Sequence, residues 1–220
     1  KTTGKIFNVK TGTIFENTKI SLPKWFMAIW LITSHKKGIS SYQLARDIGV
    51  TQKTAWFMLH RVRKGLESVN GIELTGIIEI DETFVGGKNK NRHISKKVKN
   101  SQGRSFKDKT PVIGMIEREG LLVAKVINST ESIHLTSIIT QYVSRNAILY
   151  TDEWQGYNNV RRLYKHDFID HSTKQYCKGE VCTNRIEGFW GIFKRGIIGV
   201  YHKTSKRHLH YYVDEFVFRY

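Results

Sequence analysis

Two hydrophobic runs end on aspartates: residues 77–81 read Ile-Ile-Glu-Ile-Asp and residues 147–152 read Ala-Ile-Leu-Tyr-Thr-Asp. A third acid, Glu187, follows inside the helix-like stretch Thr183-Asn184-Arg185-Ile186-Glu187-Gly188-Phe189-Trp190. Short apolar runs bounded by polar residues are buried strands, so Asp81 and Asp152 stand at strand ends, where a sheet presents its functional groups. One such Asp is ordinary turn chemistry. Three acids in a pattern that fits one fold are a site, and the charge balance strengthens that reading. The chain has 36 Lys+Arg against 19 Asp+Glu, a formal charge of +17. Carboxylates held in a strongly basic chain point to a polyanion-binding surface built around divalent cations.

The basic residues are spread along the whole sequence, which favours nucleic acid over a single membrane-binding patch. With 40% hydrophobic and 12% aromatic residues and two Pro, the 220-residue chain is globular and able to form a real core. Its longest apolar stretch, 25–33, is about half of the ~18 residues that a membrane span needs. No membrane partner is expected. No signal peptide is visible, so the expected location is cytoplasmic and nucleoid-associated. Cys177 and Cys182 are the only cysteines, and in a reducing compartment free thiols are the expectation. A zinc site from His166, His171, Cys177 and Cys182 is disfavoured, because the His pair precedes the Cys pair and knuckle glycines are missing.

Residues 1–20 are polar and β-prone. Pro23 suits the first turn of a helix, with Ser21 nearby as a cap and Trp25, Phe26, Ile29, Trp30 and Ile32 as an apolar face. Residues 41–48 form a second helix, Gly49 supplies a turn, and Thr51 caps a third whose inner side is Ala55, Met58, Leu59 and Val62. Gln52, Lys53, His60, Arg61 and Lys64 fall on the outer side. This is the helix-turn-helix pattern, and those five residues are expected to contact DNA.

From residue 72 the rhythm is that of strands. Residues 112–117 and 121–127 form a hairpin turning at Glu119-Gly120, 131–144 is a helix, 147–151 a strand, 155–163 a short helix and 167–171 a strand. Helices at 184–195 and 209–218 complete the order β-β-β-α-β-α-β-α, that of a ribonuclease-H-like domain. The expected fold class is therefore α/β: a ribonuclease-H-like mixed sheet with flanking helices over 72–220, preceded by a small all-α helix-turn-helix domain over 21–70. A basic loop at 86–111 interrupts the core. From Lys88 to Thr110 it carries nine Lys/Arg against the single acid Asp108, and it reads as a surface loop, unstructured in the free protein, that orders on phosphates. Lys96, Lys97 and Lys99 are its expected DNA contacts.

Phosphodiester cleavage by two Mg²⁺ (or Mn²⁺) ions per active site needs hard oxygen ligands shared between the ions. Asp81, on a central strand, suits the bridging position, with Asp152 and Glu187 each completing one ion's shell. Lys194 lies two helical turns after Glu187 on the same face and could hold a phosphate, with Arg195 beside it. Asn184 shares that face and is a rival third ligand. Glu79, Glu82 and Glu153 neighbour the aspartates, but strand alternation points them elsewhere or places them on loops, so they read as supporting or surface groups.

At these residues the chain resembles the DDE-class insertion-sequence transposases of the ISXO-like group, relatives of the Merlin elements. The matching segments are IEIDETFVGGK (78–88), LYTDEWQGY (149–157), TNRIEGFWGIFKRGIIGVYH (183–202) and HLHYYVDEFVFRY (208–220), with KTGTIFENTKISLPKWF and GISSYQLARDIGVTQKTAWFMLHRVR before them. The resemblance covers nearly the whole chain. It implies a transposase with Asp81, Asp152 and Glu187 as its acidic triad, Lys194 as the associated base, and double-stranded DNA (element ends and target) as partner. It also implies at least a dimer on DNA. Members with Asn in the third position keep Asn184 in play. The family's N-terminal zinc ribbon is represented only by its trailing end near 4–9, so residues 1–20 read as its remnant, and Cys182 stands where the family tends to have His. The rival functions are a non-catalytic DNA-binding protein derived from a transposase, and a ribonuclease-H-like nuclease or resolvase without strand transfer.

Overall fold

The computed structural model describes residues 8–67, 72–87, 89–99, 108–169, 177–178 and 181–220. Residues 8–20 form turns and contain no strand, contrary to the β-prone reading. Three helices follow: α1 (Leu22–Ser34), α2 (Ser41–Ile48) and α3 (Gln52–Gly65). Pro23 opens α1, but Ser21 makes no side-chain cap. The Ser40 hydroxyl caps α2 by accepting from the Gln43 N–H at 3.1 Å. Gly49 then adopts φ +61°, and Thr51 caps α3 through the Thr54 N–H at 3.2 Å. Trp25, Ala28, Ile32, Leu44, Ile48, Ala55, Met58 and Leu59 close a core of their own.

The remaining elements build a five-stranded mixed sheet of order β3-β2-β1-β4-β5, from β1 (Ile77–Val85), β2 (Thr110–Glu117), β3 (Leu122–Val126), β4 (Ile148–Asp152) and β5 (Lys165–Ile169). β1 pairs antiparallel with β2 and parallel with β4; β2–β3 is an antiparallel hairpin and β4–β5 a parallel pair. α4 (Ser132–Tyr142) covers one face, with Leu135 and Ile139 packed on Ile78, Ile80, Ile113 and Leu149. α5 (Asn184–Gly196) and α6 (Leu209–Arg219) cover the other, with Ile186, Phe189, Trp190 and Phe216 against Val112, Ile116 and Ala124. A mixed sheet with helices on both faces in this order is consistent with a ribonuclease-H-like fold.

Four local expectations change. β1 does not stop at Asp81; Thr83, Phe84 and Val85 are strand formers and pair with Val112, Pro111 and Thr110. Residues 155–163 hold two 3₁₀ turns, Gln155–Tyr157 and Val160–Arg162, instead of one helix. The basic loop is not structureless over its described part. It carries 3₁₀ turns at Asn89–Asn91 and Ile94–Lys96, closed by Asn89, whose side chain donates to the Val98 carbonyl (2.7 Å) and accepts from its N–H (3.0 Å). Finally, Cys182 is disulfide-bonded rather than free. It lies in β7 (Val181–Cys182), whose backbone pairs Cys182 with Cys177 in β6 (Cys177–Lys178). That bond removes the thiolate a zinc site would need. His171 lies outside the described residues, and His166 is engaged with the Thr151 hydroxyl at 2.9 Å.

The helical unit packs on the sheet unit through α3 and α6. Arg63 Nε donates to Glu215 Oε2 at 2.5 Å, and both side chains are buried.

Candidate active site

The site begins with strand register. Glu79 of β1 lies beside Tyr150 of the parallel β4, and carrying that register two residues further brings Asp152 level with Asp81. Side chains of the same parity on adjacent strands point to the same face, roughly 5 Å apart. The two aspartates therefore share one face of the sheet at its centre. Asp81 Oδ1 accepts the Glu82 N–H at 2.8 Å, and Asp152 Oδ1 accepts the Trp154 N–H at 3.1 Å. Each carboxylate is thus held by a nearby backbone donor.

The third acid arrives on α5, and Glu79 is what seats that helix. Glu79 is two residues before Asp81 on the same face and is 1% exposed. Its Oε2 accepts the Arg185 N–H (2.9 Å) and the Ile186 N–H (3.3 Å), and its Oε1 accepts from Arg118 Nε (3.3 Å). A carboxylate thus occupies the orphan donors at the helix N-terminus, the end at which the helix dipole favours acidic groups. Alternation places Glu79 with Asp81, which corrects its assignment away from the site's face. Further along, a Cβ at Gly114, opposite Asp81 on β2, would meet Ile186 Cδ1 and Trp190 Cζ2 at 2.7 Å. Only glycine lets α5 lie this close to the sheet.

With α5 pinned at both points, Asp81, Asp152, Glu187 and Lys194 line a single cleft of about 520 Å³, together with Glu82, Thr83, Thr183 and Trp190. The Thr183 hydroxyl donates to Glu187 Oε1 at 3.2 Å. Asp81 is pushed up to about 6, first by burial, then by the Asp152 charge; Glu187 adds to the rise, while the Glu82 N–H and Lys194 oppose it. Opposite β1's other face, Tyr157 donates to Glu82 Oε1 at 2.5 Å, and burial raises the phenol's pKa well above its usual range. Asn184, the rival third ligand, is exposed at the start of α5 and does not line the cleft. Among the described residues, no three His, Cys, Asp or Glu side chains are gathered tightly enough to hold one ion between them.

The expected DNA contacts fall into two sets. Lys53, Lys64, Lys96, Lys97, Lys99, Lys194 and Arg195 are exposed. Gln52 donates to Ser41 Oγ at 2.8 Å, and Arg61 donates to the Glu16 carbonyl at 2.8 Å while lying over the Phe57 ring. His60 is not on the outer side. It is partly buried among Trp56, His208, Tyr211 and Tyr212, with ring centroids 4.1–6.1 Å away. Burial, then the neighbouring Arg63 charge, depresses its pKa to about 4, so it is neutral at physiological pH. Helical periodicity could not show this, because the covering surface belongs to α6.

Residues 73–220 match the family described as the ISXO2-like transposase domain. The chain belongs to this transposase family. It is also 26% identical over 227 residues to an uncharacterized protein in transposable element ISH50 of Halobacterium salinarum, across 98% of this chain and 75% of that relative. A transposase role follows from membership. No described helix is long and apolar enough to cross a membrane.

Proposed function

We propose that this transposase cleaves DNA at element ends and joins the freed 3′-OH to target DNA in the cleft lined by Asp81, Asp152, Glu187 and Lys194. The observation that carries the reading is the convergence of these four side chains, from β1, β4 and α5, on one cleft. Its donor set suits two Mg²⁺ or Mn²⁺ ions. The donors are hard carboxylate oxygens, and Asp81, raised first by burial and then by the Asp152 charge, stands in a site short of positive charge. Asp81, Asp152 and Glu187 would hold the ions. When bound, such ions supply Lewis acidity to the attacking and leaving oxygens.

The chain's own groups do the rest. Asp81 would be the shared ligand, Asp152 and Glu187 its partners, and Glu79 holds α5 so that Glu187 faces them. Lys194 would neutralise a DNA phosphate beside the acids. The exposed lysines of the 89–99 turns and of α3 would hold the duplex, and joining two ends would require at least two copies.

Replacing the third ligand tests the assignment. Glu187→Gln should abolish cleavage in Mg²⁺ with the fold intact, and Asn184→Ala should leave it largely unchanged. The opposite pattern would move the ligand to Asn184. Product mapping separates the nearest rival, since cleavage of cognate ends without joining identifies a nuclease.

A further inference from the structure

A second cavity of about 520 Å³ lies at the seam between the helical unit and the sheet unit. It is bounded by the 35–43 segment, by α3, by residues 199–203 and by α6. Among the described residues, its lining includes His35, Arg63, His202 and Lys203 and no Asp or Glu. It also takes in Ser40, Ser41, Tyr42 and Gln43, the N-terminal turn of α2, whose dipole favours an anion.

The buried charges beside it do not balance. Glu215, with a fully buried side chain, is shared by two guanidiniums, Arg63 (side chain 1% exposed) and Arg219 (4%). Arg219 directs its donors to Glu215 and the His35 carbonyl. Arg63 bonds Glu215 through Nε alone, and its buried Nη2 has no hydrogen-bond partner among the described residues. The Tyr212 and Tyr201 rings, 4.1 and 5.0 Å from its guanidinium carbon, offset only part of that charge. A buried cation with a spare donor is costly, and an anion would relieve it.

We infer that this seam cavity binds a phosphate of the DNA backbone, clamped between the helical unit (Arg63, α2 N-terminus) and the sheet unit (Lys203). It rests on the DNA-binding part of the proposed function and adds a site remote from the acidic cleft. A phosphate there would tie duplex engagement by the helices to placement of the sheet unit.

The test compares wild type, Lys203→Gln and Arg63→Met for binding of a labelled random-sequence duplex across salt concentrations, with inorganic phosphate as a second probe. Removing one cation that neutralises a phosphate should weaken binding about tenfold near 0.1 M salt and flatten the slope of log K against log[salt] by roughly 0.9. Arg63→Met also leaves Glu215 paired with Arg219 and Tyr201, so its Tm without DNA should hold or rise while its affinity falls. An Arg63 that is only structural gives the reverse, a lower Tm with unchanged affinity and slope. Should Arg63→Met fail to fold, Lys203→Gln decides alone, since its exposed side chain carries no core packing. Wild-type affinity and slope in Lys203→Gln would overturn the inference. So would a phosphate-induced rise in Tm without any change in DNA binding, which marks a site for free anions. A wild-type protein that binds no duplex would instead sink the DNA reading itself.

Discussion

The seating of α5 by Glu79 has a consequence that separates structure from chemistry. In Glu79→Ala, the Arg185 and Ile186 N–H groups lose their acceptor and Arg118 loses its carboxylate. Removing a helix N-cap costs roughly 0.5–2 kcal/mol. Losing the charge-assisted hydrogen bond to Arg118 costs roughly 1.5–3 kcal/mol more, to be discounted because the Arg118 side chain is 23% exposed. A loss of about 3 kcal/mol is expected, a large share of the roughly 5–15 kcal/mol that holds a domain together. Glu79→Gln keeps an acceptor at the helix end and should cost about half as much. Urea denaturation measures both, and Mg²⁺-dependent cleavage is read on the same samples. Glu79→Gln should keep most of its cleavage activity, and Glu79→Ala should lose it together with stability. Stability within about 0.5 kcal/mol of wild type in Glu79→Ala would refute the seating of α5 by this carboxylate. Loss of cleavage in Glu79→Gln at near-native stability would recast Glu79 as a metal ligand.

Other outcomes follow from single residues. Gly114→Ala should cost about 2 kcal/mol and impair cleavage, because the new methyl meets Ile186 and Trp190 at 2.7 Å; native stability in a thermal melt would contradict the close approach. His60 stays neutral in the folded protein down to about 4, whereas the unfolded chain takes up its proton near 6.5. Stability should therefore be full above pH 6.5 and fall as the pH drops toward 4, by about 1 kcal/mol after allowance for partial exposure. A His60→Phe protein should lose less than wild type between pH 7 and 5, and equal losses would count against burial as the cause. Replacing Lys96, Lys97 and Lys99 with Gln should weaken binding to all sequences alike and flatten the salt dependence by roughly 0.9 for each phosphate no longer neutralised. Lys53→Gln should instead lower the preference for cognate ends.

Much of the sheet is readable in the sequence because each strand is a short apolar run bounded by turn residues, and Asp81 and Asp152 stand where such runs reach the polar edge of the core. Glu187 is readable from its place in a helix with an apolar face. Strand bounds are less so. Thr83 to Val85 read equally as strand or loop until β2 pairs with them, and residues 155–163 have helical periodicity but turn twice as 3₁₀. What stays hidden depends on ties between residues far apart in sequence. The tie from Glu79 to Arg185 and Ile186 spans 106 and 107 residues, and that from Arg63 to Glu215 spans 152. Periodicity misplaces His60 for the same reason. Composition alone leaves Cys182 free, while the hairpin that sets its backbone beside Cys177 forms only in the fold.

The central claim is that Asp81, Asp152 and Glu187 act together on DNA, and Asp81 is the shared member. The most direct measurement incubates wild-type and Asp81→Asn protein with a duplex carrying the element's own ends in Mg²⁺, then maps cleaved and joined strands alongside duplex affinity. Cleavage and 3′-OH joining should occur with wild type only, and Asp81→Asn should bind the duplex at least as well, since one fewer carboxylate repels the phosphates. Cleavage by Asp81→Asn at the wild-type rate would contradict the claim.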